Sequence, residues 1–168
     1  AHGRPGGIGR LVSLVNGVSR YRHCPLEYLS WEYRRGRIME QLQTWAPDII
    51  CLQEVEDDFF ADLLNRLSSL GYDGVLQKPK KRPKNMIAAN ATFFRQDKFA
   101  LKWTDHASRV LLIGLQLVGE HFPTAASLNG LAIANVHLEA DKPGKPPEAQ
   151  KRVEQLQSAF KRMKSQDP

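Results

Sequence analysis

The apolar run Asp48–Val55 is the feature that most limits what this chain can fold into. It follows Pro47, carries a carboxylate at Glu54, and gives way at once to the acids Glu56 to Asp58. A continuous apolar run of this length is too short for a typical helix, so it predicts a central strand that is buried on both faces.

Helical periodicity flanks this strand on both sides. Before it, Ser30 can cap a helix whose apolar positions recur until Pro47, which predicts one buried face on Trp31, Ile38, Leu42 and Trp45. After it, Asp57 or Asp58 can cap a second helix that ends near Gly71, with the stripe Phe60, Leu63, Leu64, Leu67 and Leu70. Strand, helix and strand therefore alternate here.

Segments of β character dominate the rest of the chain. Leu11–Val18 predicts a first strand, and five further segments follow Gly71: "YDGVLQ", "ATFFR", "FALKW", "RVLLIGLQLV" and "LAIANVHL". Pro147–Lys164 predicts an amphipathic helix that places Val153, Leu156, Phe160 and Met163 at helical spacing. We therefore expect one α+β domain over residues 1–168, in which helices cover sheets.

The balance of charge favours an acidic partner. The net charge is +6 and the isoelectric point is near 9.5, and nucleic acid is the commonest partner of such a chain. A predicted basic loop at 78–86 concentrates cations that could contact phosphates: Lys78, Lys80, Lys81, Arg82 and Lys84. Prolines in this loop also suit an ordinary solvated hairpin, and a nuclear-targeting signal is a further reading of it.

The N-terminus, the lack of a long apolar run and the cysteines indicate the cellular location of the protein. Residues 1–10 are rich in Gly and Arg, which predicts a flexible N-terminus rather than a signal peptide. No apolar run reaches the roughly 18 residues that span a bilayer, and the two cysteines form no disulfide framework. We expect an intracellular protein with no membrane contact, cytoplasmic first, with nucleus and organelles left open.

Two strand ends carry candidate chemistry. The Glu54 carboxylate costs several kcal/mol to desolvate unless it is paired or bound to a cation. The following helix N-terminus could satisfy it, and so could Mg²⁺, which takes one or two carboxylates and keeps several waters. Asn135 and His137 end the strand "ANVHL", where His137 alone reads equally as a structural histidine.

Strands that end in "LQEV" and "ANVHL", in this order, resemble those of the endonuclease/exonuclease/phosphatase superfamily. The block Tyr21–Glu56, "YRHCPLEYLSWEYRRGRIMEQLQTWAPDIICLQEVE", is similar to the deadenylase branch, which contains nocturnin, the Angel proteins and the carbon-catabolite-repressor nucleases. The resemblance covers nearly the whole chain. It implies a four-layer α/β/β/α sandwich, here incomplete, and a Mg²⁺- or Mn²⁺-dependent 3′–5′ exoribonuclease that acts on poly(A).

The same resemblance implies roles for individual residues. Glu54 matches the glutamate that binds the metal, and Asn16 the metal-site asparagine at the end of the first strand. His137 matches the histidine that contacts the scissile phosphate, with Asn135 beside it. The implied partners are single-stranded RNA and either a protein or a C-terminal half that completes the fold.

Departures from the family pattern leave a second function class open. Ala88 and Ala89 stand where an Asp-Gly pair is expected, and the later Asp-x-Asn and closing Asp-His motifs have no counterpart at their places. A general base alone contributes about 10² to 10⁴ in rate, so we expect the isolated chain to be inactive. The alternative is a degenerate, non-catalytic domain that binds RNA or protein within a larger assembly.

Overall fold

The computed structural model describes residues 23–78, 88–118, 130–141, 144 and 146–166. The N-terminus 1–10, the predicted strand Leu11–Val18 and the part of the basic loop that follows Lys78 lie outside these residues. The chain divides into two compact units, Ala1–Pro47 and Asp48–Pro168. No helix among the described residues is long and apolar enough to cross a membrane.

The first unit contains two described helices, α1 (Leu26–Leu29) and α2 (Trp31–Trp45). Ser30 caps α2 as predicted, because its hydroxyl accepts a hydrogen bond of 3.1 Å from the backbone N–H of Tyr33. The predicted buried face of α2 is wrong within the described residues: none of its side chains is fully buried, and Trp45 is 69% exposed. The physical reason is that the described part of this unit offers α2 only the single-turn α1 to pack against.

The second unit begins with a sheet in the order β1-β3-β2. The strands are β1 (Ile49–Glu56), β2 (Tyr72–Leu76) and β3 (Ala88–Arg95), and β3 runs antiparallel to both neighbours. β1 and β2 are therefore parallel, and helix α3 (Asp57–Ser68) connects them. The prediction that the Asp48–Val55 run is a central strand is wrong within the described residues, because β1 has only one paired neighbour and Cys51 and Gln53 are exposed.

The second sheet is an antiparallel set in the order β4-β5-β6. Its strands are β4 (Phe99–Ala107), β5 (Val110–Leu117) and β6 (Gly130–Val136), followed by helix α4 (Ala149–Lys164). Each predicted β segment after Gly71 is thus a strand, and the predicted C-terminal helix is present. On α4 the side that packs is Ala159 with Met163, whereas the predicted stripe residues Val153, Leu156 and Phe160 are exposed.

Alternation along β3 and β5 builds the layers. Phe93 faces α3, where its ring stacks on Phe60 with centroids 5.4 Å apart, whereas Phe94 packs into the core between the two sheets. That core is apolar and consists of Phe94, Phe99, Leu111, Ile113 and Leu115. On the outer face of the second sheet, Val110 and Leu112 pack against Ala159 of α4. The predicted α/β/β/α sandwich is confirmed as two three-stranded sheets covered by helices.

Helix α3 starts at Asp57, so its N-cap lies one residue before the first predicted cap. The N-cap is Glu56, the last residue of β1, and its side chain makes no capping hydrogen bond. Asp57 and Asp58 lie in the first turn of the helix. The strand runs directly into the helix, so both aspartates are placed where carboxylates meet the positive end of the helix dipole. Gly71 ends this segment with φ of +84°, the left-handed conformation expected of a glycine after a helix.

Candidate active site

The two sheets bring Glu54 and His137 together. Glu54 lies near the end of β1, and His137 directly follows β6, so the two residues belong to different sheets and are far apart in the chain. The Nε2 atom of His137 lies 3.8 Å from Oε1 of Glu54. The side chain of Glu54 is 76% exposed, which leaves its carboxylate open to a ligand from solvent.

A bulge in β1 presents the Glu54 side chain. Leu52 pairs with Ala91 and Val55 with Ala89, so β1 contains one more residue than β3 over this stretch. Glu54 sits in this bulge with φ of +58°, a left-handed conformation that costs an L-residue about 1–2 kcal/mol. Strained residues of this kind cluster at functional sites, because the surrounding fold must hold them in place.

The backbone, and not the contact with Glu54, holds His137 in place. Its N–H donates a hydrogen bond of 2.9 Å to the carbonyl of Arg109, at the turn between β4 and β5. The imidazole is 38% exposed, and an exposed pair at 3.8 Å contributes about 0–1 kcal/mol. The proximity of Glu54 and His137 is therefore a property of the scaffold.

Asn135 is buried, with 1% of its surface exposed. Its side-chain nitrogen donates to the carbonyls of Leu52 and Ala91 at 3.0 and 2.9 Å, and lies 3.2 Å from the hydroxyl of Thr92. Its side-chain oxygen accepts a hydrogen bond of 2.8 Å from Gln53. The predicted catalytic asparagine thus bonds across the interior of the sandwich to the first sheet, and its contact with substrate stays a prediction.

Three amide side chains near this site were not singled out from the sequence: Gln53, Gln77 and Asn90. Gln77 and Asn90 are buried, and the Gln77 amide donates to the carbonyl of Ala107 in the second sheet. The signal that could have found Asn90 is a lone amide inside an otherwise apolar strand, since a buried amide must be hydrogen-bonded.

Ala88 and Ala89, which replace the Asp-Gly pair expected from the family pattern, adjoin the same site. Ala88 pairs with Glu56, and Ala89 pairs with Val55, directly beside the Glu54 bulge. The position where the family pattern expects an Asp-Gly pair therefore carries only methyl groups next to the candidate carboxylate.

The other predicted site residues are mostly beyond the described ranges. Asn16 and the basic residues Lys80, Lys81, Arg82 and Lys84 lie outside them. Lys78 is exposed, and its backbone N–H donates to Nδ1 of His106 at 2.9 Å. Burial lowers the pKa of His106, which keeps its ring neutral and able to accept this bond.

Within the described part of the chain, no three His, Cys, Asp or Glu side chains group closely enough to form a metal site. A single exposed carboxylate is nevertheless a donor set that Mg²⁺ accepts, because this ion uses one or two carboxylates and keeps several waters. Glu54 fits that requirement as one ligand.

Comparison with known proteins adds the family context. Residues 15–164 match the family model described as Endonuclease/Exonuclease/phosphatase family. Human Nocturnin is 37% identical over 140 residues, which cover 76% of this chain and 32% of that protein. The CCR4-NOT transcription complex subunit 6-like-B of Xenopus laevis is 40% identical over 89 residues, which cover 48% of this chain and 16% of that protein.

A solved structure shares the fold. The crystal structure of ANGEL2, described as a 2′,3′-cyclic phosphatase in complex with adenosine-2′,3′-vanadate, has a TM-score of 0.60 and 26% identity. The match covers 72% of this chain and 36% of that one. This chain spans about a tenth to a third of the length of the curated relatives compared with it, and about a third and a sixth of the two named above.

Proposed function

Because the chain belongs to the endonuclease/exonuclease/phosphatase family, we propose that it supplies half of a metal-dependent phosphodiesterase site of the deadenylase type. The observation that carries this proposal is the pair Glu54 and His137, which approach within 3.8 Å from two different sheets. An exposed carboxylate beside an imidazole is the pairing that binds a divalent cation and a phosphate oxygen at one place.

Glu54 would hold Mg²⁺ or Mn²⁺, with Asn16 as the proposed second protein ligand. Bound there, the ion would supply Lewis-acid stabilisation of a phosphoryl oxygen. The bulge fixes the backbone of Glu54, and this sets the region that its carboxylate can reach.

His137 would act as the hydrogen-bond donor to the substrate phosphate. Its ring nitrogen Nε2 faces Glu54, so a phosphate oxygen near the carboxylate-bound cation would lie within its reach. A fixed donor of this kind stabilises the negative charge that develops during phosphodiester cleavage. The basic residues from Lys78 to Lys84 would attract the RNA backbone to the chain, and that attraction is screened by salt.

RNA with a 3′ adenosine end is the proposed substrate class. The deadenylase-type resemblance of the block before Glu56 supports it, together with the adenosine ligand named for the ANGEL2 structure. The CCR4-NOT subunit among the relatives supports a place inside a protein assembly, and an intracellular one. Hydrolysis by this chain by itself should stay at background, because the Asp-x-Asn and Asp-His motifs are absent from their expected places.

Binding measurements test the proposal without requiring turnover. Calorimetry should detect Mn²⁺ binding to the wild-type chain, and Glu54→Gln should weaken it at least about tenfold. Glu56→Gln is the matched control, since it removes a neighbouring carboxylate on the same strand. Mn²⁺ should then strengthen binding of a short oligoadenylate, and His137→Ala should remove this gain while it leaves Mn²⁺ binding intact.

The same measurements distinguish the non-catalytic alternative. A domain that only binds RNA would hold oligoadenylate through its basic residues, with equal affinity in Mn²⁺ and in EDTA. Equal Mn²⁺ heats for the wild type and Glu54→Gln, or oligoadenylate binding that ignores both Mn²⁺ and His137, would refute the phosphodiesterase proposal. Rapid shortening of an A-tailed RNA by this chain would refute the expectation of inactivity.

A further inference from the structure

Asn90 occupies the centre of a buried polar network at the Glu54 end of the sandwich. It is 1% exposed on β3, and its side-chain nitrogen donates two hydrogen bonds of 3.0 Å, to the carbonyls of Arg109 and Asn135. Its backbone is held in turn by Gln77, which donates to the Asn90 carbonyl at 2.8 Å and accepts from the Asn90 N–H at 3.2 Å. Every one of these contacts is within the described residues.

Both carbonyls that Asn90 binds lie in the backbone around His137. The Arg109 carbonyl also accepts the His137 N–H at 2.9 Å, so one oxygen joins the Asn90 side chain to the histidine backbone. Arg109 has φ of +59°, a strained conformation that needs support from its surroundings. Its guanidinium pairs at 3.1 Å with Glu139, two residues beyond His137, and so also contacts the segment that follows the histidine.

The second carbonyl connects the histidine to the glutamate. The backbone carbonyl of Asn135 accepts the hydrogen bond from Asn90. The side chain of Asn135 in turn donates at 3.0 Å to the carbonyl of Leu52, the residue that directly precedes the bulge. Asn90 therefore lies in a continuous chain of hydrogen bonds that runs from the backbone beside His137 to the backbone beside Glu54.

We propose that Asn90 is a positioning residue that fixes the His137 backbone against the Glu54 bulge, an inference that rests on the proposed function for its purpose. A primary amide is suited to this task, because its two N–H donors can satisfy two buried carbonyls at once. An apolar side chain of similar size fills the space but leaves both carbonyls without that donor. Asn90 itself needs no contact with metal or substrate.

The test uses the 168-residue chain with Asn90→Leu, which keeps the branched shape of the side chain and removes both donors. Hydrogen exchange of the His137 amide should accelerate at least about tenfold relative to that of the Ile113 amide in the core. Leu67→Ala is the matched control, since it destabilises a buried site outside this network and should accelerate both amides equally. Asn90→Ser keeps one donor and should give an intermediate rate, and it replaces Asn90→Leu if that variant does not fold.

Paramagnetic relaxation separates positioning from a merely structural role. Mn²⁺ should broaden the ring resonances of His137 in the wild type, and in Asn90→Leu this relaxation rate should fall about twofold or more, since positioned groups are held within about 0.5 Å. Mn²⁺ affinity should remain within about threefold of wild type, because Glu54 is intact. An unchanged or larger relaxation rate, or equal acceleration of both amides, overturns the inference.

Failure of the proposed function would look different. If Mn²⁺ leaves the His137 ring of the wild type unaffected, the metal site at Glu54 is wrong, and the exchange rates alone decide the role of Asn90. Selective acceleration at His137 then supports positioning, whereas uniform acceleration refutes it.

Discussion

The interior between the two sheets differs from one end to the other. One end is apolar and is filled by Phe94, Phe99, Ile113 and Leu115, with Ile49 and Ile133 packed against them. The other end contains the buried amides Gln77, Asn90 and Asn135, together with Thr92. Glu54 and His137 emerge beside the amide end.

This difference separates stability from placement. Apolar packing is non-directional and stabilises in proportion to buried area. The apolar end can therefore hold the two sheets together without fixing the exact position of one sheet against the other. Amide hydrogen bonds add only about 0.5–1.5 kcal/mol each, but their geometry is restrictive. The amide end therefore fixes where two strand ends meet, which is what the pair of Glu54 and His137 requires.

The largest expected effect comes from the apolar end. Ile113 is fully buried, and Ile113→Ala should lower the free energy of unfolding by about 2–5 kcal/mol, because it leaves a cavity in the core. Urea denaturation measures the loss. The surviving folded fraction should retain Mn²⁺ binding at Glu54, and selective loss of Mn²⁺ binding would show that the two ends are not separate in role.

A smaller loss is expected at the amide end. Asn135→Leu should lower the free energy of unfolding by about 1–3 kcal/mol, since it leaves the buried carbonyls of Leu52 and Ala91 without this donor. In contrast to Ile113→Ala, it should also change the chemical shift of the His137 amide. A normal His137 spectrum in this variant would contradict the placement role of the amides.

The sequence predicted the apolar end better than the amide end. β-like composition between loops identified each strand after Gly71, and helical periodicity identified α2, α3 and α4. It could not tell which apolar positions are covered, since this depends on tertiary neighbours: Trp45 and Phe160 are exposed despite their spacing. β1 was likewise predicted as central but has one paired neighbour among the described residues.

The candidate site was predicted from residues and not from geometry. Glu54 and His137 were proposed because of the motifs around them, and the structure brings their side chains together. The bulge at Glu54 and the partners of Asn90 were beyond reach, because a register shift and a cross-sheet hydrogen bond depend on the pairing of distant segments. The local sequence pattern therefore indicates neither the register shift nor the cross-sheet hydrogen bond.

Strain at Glu54 gives a prediction of opposite sign. A glycine adopts φ of +58° without a steric penalty, so Glu54→Gly should raise the free energy of unfolding by about 0.5–1 kcal/mol after its own entropic cost. The same variant should lose Mn²⁺ binding. Glu54→Ala is the control, because it also removes the carboxylate but keeps the strain; a glycine variant about 0.5–1 kcal/mol less stable than the alanine variant would argue that the bulge stores none.

The smallest expected effect is a pH dependence at His106, whose ring accepts the Lys78 N–H near the amide end. Burial, with Lys78 in support and Asp105 in opposition, lowers the pKa of this histidine in the folded chain. The unfolded chain therefore takes up the proton first as pH falls below about 6.5, and stability is lost until the folded pKa is passed. His106→Gln should reduce the stability lost between about pH 7 and 5 by a few tenths of a kcal/mol, a small value because the ring is partly exposed. Unfolding curves that lose stability equally in the wild type and the variant over this range would mean that folding does not lower the pKa of His106.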